Sequence, residues 1–273
     1  MLIRHPGTFE HGYEPIVDRA GANADVLMDF GVLTLAEGEA WDSGRQDEKA
    51  ILLMGGTVDL SWKPEAGAGV LQHVRVSRQS LLDQSPAVLH LPDGDEVRVV
   101  ARAGGAELLV SRTANPRAFA ARYYAPEDCR SEPRGKGTMQ ETSTRIVRTV
   151  FDDSNAPEAN LVLGEVVTAP GKWSSYPPHH HPQPEIYHYR FAPRQGFGLT
   201  AIGEETHQVR NHDTVIIRDT QDHPQVSAPG YAMWYVWIIR HLDGNRYGTP
   251  TFTPEHTWVQ DAGAEIWSPA SQQ

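Results

Sequence analysis

Short apolar or alternating runs, each cut off by glycine, proline, aspartate or asparagine, constrain this chain more than any other feature. "VLTLAEGEAW" (Val32–Trp41), "KAILLMGGTVDLSW" (Lys49–Trp62) and "EVRVVARAGGAELLVSR" (Glu96–Arg112) set the rhythm, and "ANLVLGEVVTAPGKW" (Ala159–Trp173) and "AMWYVWIIR" (Ala232–Arg240) continue it. Such runs between turn-forming residues read as strands. Helical periodicity is scarce, and "NPRAFAARYY" (Asn115–Tyr124) is too short and too aromatic to assign. The expected class is all-β, built as a sandwich or as jelly-roll barrels.

A polar stretch, "EDCRSEPRGKGTMQETSTR" (Glu127–Arg145), has the composition of a connector and divides the 273 residues into two halves of ordinary domain size. The expected domains are 1–130 and 131–273. With 24 basic against 35 acidic residues and a net charge of −11, the chain lacks the positive face that nucleic acid or anionic membranes require, so a small molecule is the expected partner. Cys129 is the single cysteine, which excludes an intrachain disulfide and a thiolate metal cluster and fits a reducing compartment. No apolar leader follows the first basic residue and no stretch is long and apolar enough for a membrane helix, so a soluble, cytoplasmic protein is expected.

"SSYPPHHHPQPEIYHYRF" (Ser174–Phe191) carries the chemistry. Pro177 and Pro178 favour extended backbone, in which residues two apart share a face. His179 and His181 then project together while His180 turns away, and Glu185 adds an anionic oxygen after a short turn. His223, in a Pro- and Gly-rich loop, is the expected fourth ligand, ahead of His207, His212 and His188. Nitrogen and carboxylate donors suit zinc, manganese, iron(II), cobalt or nickel, and leave positions open for substrate. A single loop histidine is ordinarily only solvated; the His-x-His pair with a carboxylate in an all-β context is what turns the balance toward a metal.

On a strand through "EIYHYRF", Tyr187, Tyr189 and Phe191 share the face of Glu185, and Ile186, His188 and Arg190 take the other. Tyr187 and Tyr189 are candidate catalytic groups with Glu185, although aromatic stripes in β proteins more often serve the core. Trp173, Tyr176, Arg190 and Arg218 are candidate substrate-binding residues, the arginines as clamps for a carboxylate; Lys172 and Glu165 are weaker candidates.

These residues resemble a known pattern. His179, His181, Glu185 and His223 look like the three-histidine, one-glutamate signature of the cupins. "GEVVTAPGKWSSYPPHHH", "EIYHYRF" and "HPQVSAPGYAMWYVWII" resemble the 5-deoxy-glucuronate isomerases of myo-inositol catabolism, a family shared with the 4-deoxy-L-threo-5-hexosulose-uronate ketol-isomerases. The resemblance covers nearly the whole chain and implies a bicupin. Its first half lacks His-x-His and is expected to hold no metal, the second half being catalytic. Gly171-Lys172-Trp173, His179-His180-His181, the short Pro182-Gln183-Pro184 turn and Tyr187-His188-Tyr189-Arg190 depart from the family's usual wording, the short turn and the aromatic run sitting where a sugar acid would lie.

The implied activity is aldose–ketose isomerisation of 5-deoxy-glucuronate to 2-deoxy-5-keto-gluconate through an enediol(ate). One divalent ion, zinc first with manganese, iron or nickel as alternatives, would act as Lewis acid. The base stays open among Glu185, a metal-bound hydroxide, Tyr187 and Tyr189. Two rival readings use the same ligands: an iron(II) dioxygenase, and a non-catalytic bicupin that binds a sugar acid. A homo-oligomer is expected from the exposed strand edges of such domains.

Overall fold

The computed structural model describes residues 1–64, 70–218 and 220–269, and the architecture is all-β, with helix limited among these residues to short 3-10 turns. The last four residues of the expected second domain, 270–273, lie outside the described residues. No helix among the described residues is long and apolar enough to cross a membrane.

In the first half an eight-stranded antiparallel sheet is organised around two long strands, Glu48–Lys63 and Glu96–Thr113, which pair along most of their length. Breaks in register between Leu53 and Gly55 and between Gly56 and Val58 let both strands bend. Glycine is required at the bend: Gly56 has φ +94°, and a Cβ there would lie 2.2 Å from the Gly105 carbonyl oxygen. Leu33, Ile51, Leu53, Val99 and Val110 are among the residues of this half's own core.

The second half has a seven-stranded sheet in the order Leu2–Ile3, Thr214–Ile217, Glu185–Ala192, Ala232–Arg240, Leu161–Thr168, Arg145–Phe151 and Arg130–Arg134. A four-stranded sheet packs against it, with Ile202 and Val209 meeting Tyr187, Tyr189 and Met233 in one core. This is a jelly-roll arrangement of two apposed antiparallel sheets.

Alternation decides which core each residue joins. On Ala232–Arg240, Met233 and Tyr235 face the interior of the second half, while Trp234, Val236 and Ile238 face Phe30, Val32 and Leu52 of the first. Both faces are therefore buried, which is why "AMWYVWII" reads as a continuous apolar run and not as apolar–polar alternation. Polar groups also cross this boundary. Glu48, fully buried, accepts hydrogen bonds from the backbone nitrogens of Asn160 and Leu161 at 2.7 and 3.0 Å and from Asn115 Nδ2 at 2.7 Å, and its Oε1 lies 2.8 Å from His90 Nε2.

One sequence expectation changes. The polar stretch read as a connector contributes a strand, Arg130–Arg134, paired with Arg145–Phe151. All five of its residues are exposed and it occupies the sheet edge, where polar residues and Pro133 are tolerated, so its composition mimics a loop. Sheet pairing also crosses between the halves: Leu2 and Ile3 pair with Val215 and Thr214, placing the start of the chain beside the strand next to Glu185.

Candidate metal centre and cavity

The second half encloses a cavity of about 590 Å³, with His179, His181, Glu185 and His223 in its wall. His179 belongs to a two-residue strand held by Thr251–Phe252. Glu185 opens the strand Glu185–Ala192, and His223 sits two residues before Gln225–Ser227. Three separate pieces of chain thus converge, and strand alternation sends Glu185 inward together with Tyr187.

Each of the three histidines is oriented by a backbone carbonyl two residues away: Nδ1 of His179 donates to Pro177 O at 3.0 Å, His181 to Gln183 O at 3.0 Å, and His223 to Gln221 O at 2.8 Å. A carbonyl only accepts, so each Nδ1 carries a proton, and a neutral ring held this way presents its Nε2 lone pair as a ligand. Nε2 of His181 and of His223 lie 3.2 and 3.4 Å from the same Glu185 oxygen, Oε2. Two lone pairs facing one carboxylate oxygen repel unless a cation lies among them.

A proton answers this poorly for His223, whose pKa is pushed down to about 4 chiefly by burial, with Glu185 opposing and His179 and His181 assisting. A metal ion answers it, and carbonyl-anchored imidazoles are the usual outer support of such sites. The ligand atoms of His181, Glu185 and His223 all lie within 4.8 Å of one another. His179 stands outside that closest set, but its ring packs edge-on to His223 at 5.0 Å, and burial lowers its pKa to about 4. The donor set fits a divalent ion: three imidazoles, one carboxylate and no thiolate.

His212 and His241, away from these ligands, are also lowered to about 4, again chiefly by burial. Each of these histidines binds a proton more readily in the unfolded chain, so their contribution to stability is complete above an unfolded pKa near 6.5 and declines as pH falls from there toward 4. Thermal melts of the metal-free protein should show a midpoint that drops across this window. A midpoint flat through it would contradict the assignment.

The rest of the wall follows from the sheet. Tyr187, Trp237, Gly164 and Thr149 lie in one register row across four strands, and a Cβ on Gly164 would come 2.3 Å from the Trp237 ring. Glycine therefore makes room for the indole on the cavity floor. The phenol oxygens of Tyr187 and Tyr235 lie 3.3 Å from Ser175 Oγ and 2.7 Å from Ser174 Oγ. Burial raises the pKa of both tyrosines, so both phenols keep their protons near neutrality. Tyr247 closes the cavity from the C-terminal segment, its ring 4.8 Å from that of His181.

Other candidates from the sequence lie elsewhere. Tyr189 shares the face of Tyr187 but is wholly buried in the core with Phe191 and Val209, behind the cavity wall. Trp173 and Tyr176 pack on each other at 5.6 Å outside the cavity, with Trp173 partly in solvent. Arg190 emerges on the opposite face, against His188 and Glu107. Arg218 bonds Asp25 at 2.5 Å and Asn23 at 2.9 Å. Glu165 is buried between Arg78 and Arg148, and Lys172 reaches the Glu141 carbonyl near the surface. His180 turns outward to Asp222 at 2.8 Å.

The sequence reading did not single out Tyr235, Trp237, Arg145 or Tyr247. Tyr235 and Trp237 were visible as an apolar strand whose inward phase was not fixed, Arg145 was hidden in the supposed connector, and no local pattern marked Tyr247.

The family model of the KduI/IolB family matches residues 1–259. A protein named 5-deoxy-glucuronate isomerase from Geobacillus kaustophilus is 28% identical over 251 residues, which cover 85% of this chain and 86% of that one. Among solved structures, an IolB-like protein from Salmonella typhimurium LT2 matches with a TM-score of 0.82 at 23% identity, covering 95% of this chain and 99% of its own. A Bacillus subtilis oxalate decarboxylase, described with Mn(II) centres, matches with a TM-score of 0.62 at 11% identity, covering 92% and 78%. Likeness at these structural identities speaks for the fold.

Proposed function

The chain belongs to the KduI/IolB family and is an enzyme of the isomerase class, and on that premise we propose that it converts 5-deoxy-glucuronate to 2-deoxy-5-keto-gluconate with one divalent metal ion. The observation that carries this reading is the set of carbonyl-anchored histidines aimed with Glu185 into one cavity. His179, His181, Glu185 and His223 would hold the ion. When bound, it supplies Lewis acidity for the carbonyl and neighbouring hydroxyl of the open-chain sugar. Zinc is our first choice for this donor set, with manganese, iron or nickel as alternatives.

The reaction removes a proton from the hydroxyl-bearing carbon beside the aldehyde and returns one to the former aldehyde carbon, through an enediol(ate). Tyr187 and Tyr235 present protonated phenols that can donate to sugar oxygens or hold a proton in transit. Val147, Val166, Trp237 and Ile239 supply the apolar part of the lining, against which the carbon skeleton of a sugar can pack. The first half, in this reading, has no metal of its own and supports the sheet that carries Glu185.

The test is an assay of purified protein for this conversion, by NMR of substrate and product, alongside elemental analysis before and after chelation. Turnover that disappears with the metal and returns on its restoration is expected. Equal turnover in metal-free protein, or iron-dependent oxygen uptake without isomerisation, would overturn the reading.

A further inference from the structure

We propose that Arg145 binds the carboxylate of the sugar acid, fixing the end of the substrate remote from the metal ligands; this deepens the isomerase reading and rests on it. Arg145 begins the strand Arg145–Phe151 and lines the same cavity as His179, His181, Glu185 and His223. Its Nη1 donates to the Ser143 carbonyl and to Ser143 Oγ, each at 2.9 Å. Both acceptors are neutral, and among the described residues no carboxylate pairs with this guanidinium. The other two arginines in the wall differ: Arg130 is paired with Asp152 and Arg134 with Glu132, and both are exposed.

The cross-strand register sharpens the point. Arg134 and Arg145 are direct partners in the antiparallel ladder, and both line the cavity. Like charges directly opposite one another are destabilising; Arg134 has Glu132 as its counter-ion, and an anion in the cavity would supply one for Arg145. A half-buried arginine remains protonated and can meet a carboxylate with two parallel hydrogen bonds, which a lysine cannot do. Val147, two residues along the strand on the same face, lies beside it in the wall. In 5-deoxy-glucuronate the carbon next to the carboxylate is a methylene, which suits an apolar neighbour at that place. The aldehyde end would then lie toward Glu185.

Arg145→Gln and Arg145→Lys, each loaded with metal, test this against 5-deoxy-glucuronate and its neutral counterpart 5-deoxy-glucose. Arg145→Gln should keep its metal content and raise KM for the acid about ten- to a hundredfold, the scale of lost charge-assisted hydrogen bonds, while leaving its weak turnover of the neutral sugar unchanged. Arg145→Lys should recover part of the loss. Arg218→Gln, outside the cavity lining and bonded to Asp25, should stay within about twofold of the parent by the usual size of surface effects. An unchanged KM for the acid in folded, metal-loaded Arg145→Gln overturns the inference and leaves the isomerase reading standing. If the parent protein does not isomerise the acid at all, that reading falls, and calorimetry with glucuronate decides Arg145 separately: weaker binding to Arg145→Gln than to the parent supports it, and equal or undetectable binding to both overturns it.

Discussion

Replacing Glu185 with alanine should release the metal and abolish isomerisation in the same protein. Among the described residues, Glu185 Oε2 is the anionic atom that both His181 and His223 face, at 3.2 and 3.4 Å. Its loss leaves neutral imidazoles to hold a divalent ion with no compensating charge. Removing mere outer supports of metal ligands costs about 10- to 100-fold in affinity, so loss of the carboxylate ligand itself should exceed about a hundredfold. Paired replacement of His179 and His181 by alanine should do the same. Elemental analysis and the sugar assay are the measurements, with circular dichroism to establish that the β fold persists. Stoichiometric metal with parental turnover in Glu185→Ala would exclude this centre as the catalytic one.

The largest effect on stability is expected from Glu165→Gln. Oε1 of Glu165 lies 2.6 Å from Arg78 Nη2 and 2.8 Å from Arg148 Nη1, and all three side chains are buried at the junction of the halves. The neutral amide would leave two guanidinium groups out of water and without their counter-ion. Breaking a buried charge cluster in this way costs about 3–5 kcal/mol. At about 2–4 °C per kcal/mol for chains somewhat smaller than this one, the thermal midpoint should fall by about 10 °C. Replacing all three residues together with apolar groups of similar volume should recover most of that loss, because no charge is then stranded. A fall of only a degree or two in Glu165→Gln would show that the cluster is solvated.

Strand positions were legible because Gly and Pro punctuate them, and the facing of "EIYHYRF" followed from alternation once Glu185 was set inward. The His-x-His pair was legible because two prolines exclude helix around it. Long-range placement was less so. Nothing local distinguishes Arg145, which lines the cavity, from Arg190, whose partner Glu107 comes from the other half, since both are arginines next to apolar strand residues. Tyr189 and Tyr187 share a face, and only the depth of the opposite sheet separates a core tyrosine from one in the cavity wall. Arg130–Arg134 was misread because an exposed edge strand has the composition of a loop.

The core shared by the two halves also bears on how the chain is made. Phe30, Val32 and Leu52 are synthesised well before Trp234, Val236 and Ile238, the residues that cover them. At about 5–20 residues per second, roughly 200 residues of further synthesis leave that apolar face bare for about 10–40 s on the ribosome. The first half therefore emerges with a sticky side that its own chain cannot yet hide, and the interval before the catalytic half arrives is when a chaperone matters most.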